Sequence, residues 1–312
     1  MNAVTGYAPS NSAKLHFEVC GQGPELVFIH AGVSDHRMWQ PQVDFFSAQF
    51  KVVRYDLRGF GKSTAPAESF ALRDDLYAVL KHLDIRKAAL VGCSMGGATA
   101  IDFTLEHPEM VTALVPVGAG VSGWSEWSPE SVKLFTEITG LQKKGDADAA
   151  FDLSARYWID GPSRDVSRVD PKYRERAFQL YKENFSLEAF QRQENTLDPP
   201  AIKRLSEIKC PTMVIIGDSD APDLRNIAQH LAREIPGASI ATIDNAAHLP
   251  SLEHPAEFNR LLRDFLTSSR GKSWMRSRRR SWPFDAVNQD LEQPAELSHL
   301  IALESPFEDG PV

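Results

Sequence analysis

Compact apolar runs that alternate with helical segments are the feature that most restricts the fold of this chain. Six runs have the length and β-branched composition of strands buried on both faces. They occupy 25–30, 51–56, 87–92, 111–116, 212–217 and 239–244. Helical periodicity lies at 70–84, 224–234 and 256–266, and residues 15–20 alternate like an edge strand. This order predicts a doubly wound, mostly parallel α/β sheet with helices on both faces.

One long segment, 121–205, interrupts the alternation. It is helix-like and rich in aromatic residues, and it ends in LDPPA. We predict that it forms a helical cap inserted between two strands of a core built from 1–120 and 206–268. Aromatic residues at helical spacing usually belong to a core, and that remains the alternative for each of them. Three are candidates for lining a substrate pocket: Trp124, Trp127 and Trp158.

The charge pattern sets the expected partners and compartment. Residues 269–312 carry charge in blocks, RGKSWMRSRRR followed by an acidic stretch, which predicts a disordered tail, with contact of RSRRR to a polyanion as the alternative. The formal net charge of −8 argues against nucleic acid or an anionic membrane as the main partner. The chain has no apolar run near the ~20 residues of a membrane span, and its first residues do not resemble a signal peptide. The oligomeric state stays open.

The number and spacing of the cysteines also bear on the compartment. Cys20, Cys93 and Cys210 are odd in number and widely spaced, which does not fit a disulfide framework or a zinc site. A cytoplasmic protein that acts on a small molecule is therefore expected.

The segment VGCSMGG, residues 91–97, places one serine among three glycines, directly after a predicted strand and before a helical segment. Glycine weakens both strands and helices, so a backbone that needs close approach is the natural reason for the cluster. Gly92 to Gly96 fit G-x-S-x-G, in which the serine occupies a strained strand-to-helix turn with its Oγ exposed. Alone, the pattern would favour a serine that caps the following helix.

A serine hydroxyl is a poor nucleophile without a base, and the base and its orienting acid should follow in the order Ser, Asp or Glu, His. VIIGDSDAPD leaves one predicted strand and offers Asp218, Asp220 and Asp223. ATIDNAAHLPSLEHP leaves the next and offers His248. The residues alone do not show which of the three carboxylates is the orienting acid.

Together these segments make the chain resemble the α/β-hydrolase superfamily, in particular the capped serine hydrolases similar to 3-oxoadipate enol-lactonases, carboxylesterases and cofactor-free haloperoxidases. The resemblance covers about residues 14–267 and rests on FIHAGVSDHRMW (28–39), YDLRGFGKS (55–63), VGCSMGG (91–97), and GDSD (217–220) with NAAHLPSLEHP (245–255). It implies Ser94 as the nucleophile, His248 as the general base and Asp220 as the acid. Asp218 is the second choice of acid, and Asp223 is expected to cap a helix.

The resemblance also implies an oxyanion hole made by the backbone amides of Met95 and Gly32. Ala31 stands where the family usually has glycine, but the donor is a backbone group, so the departure matters little. His30 is expected to brace this loop, and Cys93 to be a small buried thiol.

Two further features lie close to the motifs. Arg37 either lines the substrate site or forms a structural ion pair. The glycines of 55–63 have the wrong spacing for a phosphate loop, and a structural loop is expected there.

The implied activity is hydrolysis of a carboxylic ester or lactone of a small, fairly apolar substrate through an acyl-enzyme, without a metal or an organic cofactor. C–C bond hydrolysis of vinylogous ketoacids and peracid formation use the same triad and remain alternatives. A non-catalytic small-ligand receptor is the alternative of another class. Relatives that resemble haloalkane dehalogenases and epoxide hydrolases carry aspartate in place of Ser94, so neither reaction is expected.

Overall fold

A mixed sheet organises the chain in the computed structural model, which describes residues 3–66, 68–185 and 194–268. Its strands are β1 (Val4–Ser10), β2 (Ala13–Cys20), β3 (Glu25–Ile29), β4 (Lys51–Tyr55), β5 (Ala88–Cys93), β6 (Val111–Val117), β7 (Met213–Gly217) and β8 (Ser239–Ile243). They lie in the order β1-β2-β4-β3-β5-β6-β7-β8. Strand β2 is antiparallel to both neighbours, and the other pairs are parallel. The predicted doubly wound, mostly parallel sheet is confirmed.

Helices pack on this sheet and connect its parallel strands. They are α1 (Gln40–Phe46), α2 (Leu72–His82), α3 (Met95–Glu106), α4 (Pro129–Lys143), α5 (Ala147–Ala155), α6 (Pro171–Asn184), α7 (Pro222–Glu234), α8 (Pro250–Glu253) and α9 (Pro255–Thr267). In α7 the buried apolar residues recur every three or four positions, at Leu224, Ile227, Ala228 and Leu231. This stripe faces the sheet and explains why the segment folds as a helix there.

The two edges of the sheet differ from the expectation. Residues 15–20 belong to β2, which is the second strand, because β1 pairs with it along its whole length and takes the edge. Residues 239–244 form β8 at the opposite edge, where Ile240 is 44% exposed. Alternation in β2 arises because antiparallel strands commonly have one solvated face, and this pattern does not distinguish an edge strand from its neighbour.

The segment between β6 and β7 holds α4, α5 and α6, with a π-helical turn at Arg156–Asp160. Its two ends meet: Ser122 Oγ accepts from the Ala201 amide at 2.9 Å, and the Ser122 carbonyl accepts from the Ile202 amide at 3.1 Å. A helical insertion was expected here, and its limits at 121 and 205 stay a prediction. The tail predicted at 269–312 lies outside the described residues. None of the described helices combines the length and apolar character that crossing a membrane requires.

Candidate active site

Ser94 lies at a sharp turn between β5 and α3. Its φ of 55° and ψ of −116° place a non-glycine residue in the strained region expected of a nucleophile elbow. A Cβ on Gly92 would lie 2.1 Å from the Gly96 carbonyl oxygen, and one on Gly96 would lie 2.4 Å from the Ile29 carbonyl oxygen. Glycine is therefore the residue that fits at both positions.

The helix-capping alternative for Ser94 does not hold. Ser94 occupies the N-cap position of α3, yet its side chain makes no capping hydrogen bond. The hydroxyl is buried and makes no hydrogen bond to another described residue. A buried polar group without a partner is rare and usually has a functional reason.

Asp220 and His248 form a buried pair. The His248 Nδ1–Asp220 Oδ2 distance is 2.9 Å, and both side chains are fully buried. The second Asp220 oxygen accepts from the Ala221 amide at 2.6 Å. Asp218 is exposed and accepts from the Ser219 hydroxyl at 2.8 Å. The structure thus brings Asp220, and not Asp218, to the imidazole.

Burial sets the protonation of the pair. Burial lowers the pKa of His248 well below its usual value, because a charged imidazolium loses its hydration inside the protein. Burial raises the pKa of Asp220, and the Ala221 amide and the charge of Arg225 oppose that rise. At neutral pH His248 is therefore an uncharged imidazole that can accept a proton.

The loop after β3 lies against the start of α3. A Cβ on Gly32 would lie 2.9 Å from Met95 Cε, so the two predicted oxyanion donors belong to segments in contact. Met95 is the first residue of α3, and its amide has no acceptor inside the helix. The helix N-terminus adds a partial positive charge at this place.

His30 braces the same loop, as expected. Its Nδ1 donates to the Ala31 carbonyl at 2.7 Å, and its Nε2 accepts from the Leu57 amide at 2.8 Å. These two bonds fix one neutral tautomer, and burial lowers the pKa of His30. Both ring nitrogens are thus used to join two loops.

Cys93 is the buried thiol that was expected. Its Sγ donates to the His248 carbonyl at 3.5 Å, and burial raises the pKa of the thiol well above its usual value. A neutral thiol is a weak nucleophile. Cys93 therefore helps to hold the backbone of the histidine loop.

The three candidate tryptophans have different surroundings. Trp158, in the π-helical turn, stacks on the His248 ring with 5.2 Å between centroids and 25° between planes. Trp127 packs edge-on against Phe135, which stacks on Trp158. Trp124 instead packs against His230 of α7. Of the three, Trp158 is the one in contact with the histidine, and a substrate-lining role stays a prediction for all three.

Arg37 is held in ion pairs. Its guanidinium donates to both Asp35 oxygens at 2.8 and 2.5 Å and to Glu183 of α6 at 2.5 Å. These bonds raise the pKa of Arg37. The structural ion pair, one of the two roles that the sequence left open, is present, and a substrate-lining role for Arg37 stays a prediction.

Asp223 does not cap a helix, contrary to expectation. The N-cap of α7 is Ala221, and Asp223 follows inside the first turn. Its buried carboxylate accepts from the Ser128 amide at 3.0 Å, from the Ser128 hydroxyl at 2.8 Å and from the Ser131 hydroxyl. Because Ser128 and Ser131 begin α4, Asp223 fastens the inserted helices to the sheet domain.

Two residues near the pair were missed in the sequence. A Cβ on Gly118, whose φ is +49°, would lie 3.0 Å from His248 Nδ1 and 3.1 Å from Asp220 Oδ2. Glu253 is fully buried and accepts from the Ala247 amide and from Arg164, both at 2.7 Å. A glycine at the end of a strand and an acid five residues after the histidine were the available signals.

The loop at 55–63 is structural, as expected. Asp56 accepts from the Lys62 amide at 3.0 Å, and its carbonyl accepts from the Ser63 hydroxyl at 2.7 Å. His16, His36 and Asp56 also form the one group among the described residues with ligand atoms close enough for a metal. However, His36 Nδ1 lies 2.6 Å from an Asp56 oxygen, so this contact is already a short hydrogen bond.

The site is enclosed. Ser94 and His248 have no exposed surface, and Asp220 is 1% exposed. The rings of Trp158 and Phe135 contribute to this cover. The Ser94 hydroxyl is therefore shielded from solvent.

Comparisons with known proteins show what this chain is similar to. A family model described as alpha/beta hydrolase fold matches residues 24–255. The chain is 30% identical over 283 residues to a 2-hydroxy-6-oxononadienedioate/2-hydroxy-6-oxononatrienedioate hydrolase of Escherichia coli, covering 81% of this chain and 91% of the relative. Its structure is similar to bromoperoxidase from Bacillus anthracis (26% identity, TM-score 0.72, 85% and 100% covered). It is also similar to enol-lactonase from Burkholderia xenovorans LB400 (26% identity, TM-score 0.68, 84% and 100% covered).

Proposed function

The chain belongs to the α/β-hydrolase family, and we propose that it is a serine hydrolase that cleaves a small, fairly apolar carboxylic ester or lactone. The observation that carries the proposal is the buried Asp220–His248 pair together with Ser94 at its strained turn. Nucleophile, acid and base follow each other along the chain in the order of this fold.

The proposed mechanism is acyl transfer to water. His248 takes the Ser94 proton on Nε2 as Oγ attacks the substrate carbonyl, and Asp220 holds Nδ1–H and supports the imidazolium. The amides of Gly32 and Met95 bind the oxyanion of the tetrahedral intermediate. His248 returns its proton to the leaving alkoxide, and a water activated by the same histidine then hydrolyses the acyl-enzyme. Since the resting Ser94 hydroxyl makes no hydrogen bond to a described residue, the serine–histidine contact forms as substrate binds.

The surroundings of the pair support an apolar substrate. Trp158 covers the imidazole, and Phe135 and Trp127 extend this aromatic surface. The enol-lactonase of similar structure is a lactone-cleaving enzyme by its name, which supports the ester or lactone class.

C–C bond hydrolysis is the second candidate, and the identity to the Escherichia coli hydrolase favours it. That relative is named for dicarboxylic substrates, which call for cationic partners. Arg37, the arginine nearest to the oxyanion loop in sequence, is already bound by Asp35 and Glu183. We rank esters and lactones first because the aromatic cover of the imidazole suits an apolar substrate. Peracid formation would differ in its second step alone, with hydrogen peroxide taking the place of water.

The test is hydrolysis of p-nitrophenyl acetate and butyrate, combined with labelling by a fluorophosphonate. Ser94→Ala should lose at least about 10³-fold in kcat/KM and all labelling, because the residues of a triad act as a unit. Cys93→Ala is the matched control next to the nucleophile and should keep the label. Equal activity and labelling in Ser94→Ala and the parent would exclude the proposal, and a parent that shows neither activity nor labelling would favour a ligand receptor. A panel of lactones, short esters and vinylogous ketoacids then ranks the two candidate reactions.

A further inference from the structure

A polar pocket of about 200 Å³ lies where residues 162–168 of the inserted segment meet the loop that carries Asp220. Three arginines and two serine hydroxyls contribute to its lining: Arg164, Arg168, Arg225, Ser163 and Ser219. The Ser94 hydroxyl does not belong to this lining, so the pocket is separate from the proposed nucleophile. We call it the arginine pocket.

Arg164 is the buried member of the arginine pocket, with 5% of its surface exposed. Its Nε donates to the Asp160 carbonyl at 2.8 Å, and its Nη1 donates to the Asn245 carbonyl at 2.5 Å and to Glu253 at 2.7 Å. Its Nη2 is buried and has no acceptor among the described residues. Leaving a charged donor buried and unbonded is costly, so this nitrogen indicates an acceptor that the described residues do not supply.

Arg168 and Arg225 lie at the mouth of the pocket and are exposed. Arg168 Nη2 has a long contact of 3.5 Å to the Asn245 side-chain oxygen, and Arg225 Nη1 donates to the Asp218 carbonyl at 3.2 Å. In the described part of the chain, neither guanidinium forms a salt bridge within 4.0 Å. Both charges therefore remain available to a ligand.

The carboxylates around the pocket have different roles. Glu253 is engaged by Arg164, and Asp220 is engaged by His248. Asp218 is exposed at the pocket and opposes the arginines. The start of α7, directly after Asp220, adds a partial positive charge on the same side.

We propose that the arginine pocket binds a small oxyanion: inorganic phosphate, or the phosphate or carboxylate group of a small metabolite. Arg164 Nη2 donates from the buried wall, and Arg168 and Arg225 donate from the rim. The planar guanidinium fork matches phosphate and carboxylate oxygens, which makes arginine well suited to such ligands. A volume of about 200 Å³ is below the ~300–1,000 Å³ of pockets for drug-sized ligands, and it suits an ion of this size.

The test is isothermal titration of the full chain with inorganic phosphate at constant ionic strength, with glycerol 1-phosphate and acetate in parallel. One saturable phosphate per chain is expected. Arg168→Gln and Arg225→Gln should each weaken binding by about tenfold or more, because each removes a charge-assisted hydrogen bond. Asp218→Asn should strengthen it, because an opposing charge is lost. Tighter binding of glycerol 1-phosphate than of phosphate would identify a metabolite, and the reverse order would identify the free ion.

The control is Arg233→Gln, near the other end of α7, where the guanidinium is exposed and pairs with Glu234. This variant should bind phosphate as the parent does. Absence of saturable binding of all three ligands, or equal weakening in Arg233→Gln and Arg168→Gln, would overturn the proposal. Arg168, Arg225 and Asp218 are exposed, so these variants are expected to fold. Circular dichroism would verify this before titration.

Discussion

Gly118 offers the sharpest test of how the Asp220–His248 pair is held. In Gly118→Ala the new methyl would lie 3.0 Å from His248 Nδ1 and 3.1 Å from Asp220 Oδ2. Unstrained contacts of a carbon atom are about 3.5 Å or longer, so the two side chains must move by roughly half an ångström. The hydrogen bond between them, now 2.9 Å, would then approach the limit beyond which it contributes little.

The expected loss in kcat/KM follows from these displacements. Misplacement of a catalytic group by about 1 Å can cost about 10²-fold, and general-base catalysis as a whole is worth about 10²–10⁴-fold. Gly118→Ala should therefore lower kcat/KM for p-nitrophenyl butyrate by about 10²-fold. Alanine at a φ of +49° should also lower the free energy of unfolding by about 1–2 kcal/mol.

Gly237→Ala separates these two effects. Gly237 also has a positive φ, +74°, but a Cβ there would meet nothing within 4 Å. Gly237→Ala should show a similar stability loss with unchanged kcat/KM, measured by urea denaturation and by ester hydrolysis. If Gly118→Ala kept parental kcat/KM while losing as much stability as Gly237→Ala, the view that Gly118 makes room for the pair would be refuted.

Three further predictions concern pH, access and stability. Burial lowers the pKa of His248, so kcat/KM should stay level as the pH falls to about 6.5, the usual pKa of a histidine, and should decline at lower pH. A pH profile of kcat/KM with its midpoint above about 6.5 would contradict the assignment of His248 as the general base. Asp223→Asn weakens the bonds to Ser128 and should speed fluorophosphonate labelling of the enclosed serine; slower labelling with an intact fold would argue against this. Asp75→Asn breaks the buried pair with Arg58 and should cost about 3–5 kcal/mol of unfolding free energy in urea denaturation, whereas a loss below about 1 kcal/mol would show the pair to be unimportant.

The sequence predicted most of the sheet and the residues of the proposed triad because both depend on local order. Apolar runs identify strands, and Ser94, Asp220 and His248 each follow a strand end, where the carboxyl ends of parallel strands meet. The sequence did not identify β1, because VTGYAPS contains glycine and proline and lacks clear alternation. Pairing with β2 stabilises this segment as a strand, which its local propensity alone does not.

Roles that depend on distant neighbours were not predictable in this way. Gly118 matters because β6 ends beside the residues that follow β7 and β8, a proximity that sheet order creates. Trp124 and Trp158 are the same residue type within one inserted segment, yet one contacts α7 and the other the imidazole. Helical period tells which side of a helix is apolar, but the packing partner is fixed by the tertiary arrangement.

The meeting of the inserted segment's two ends at Ser122 bears on how such a protein can diversify. A stretch whose first and last residues are neighbours leaves the sheet and returns to it at nearly one point. Recombination could exchange such a stretch as one continuous piece of gene, because the flanking strands need not move to accommodate a replacement of different length. The proposed catalytic residues would remain at the strand ends of the sheet, while the residues that select the substrate would change with the inserted segment.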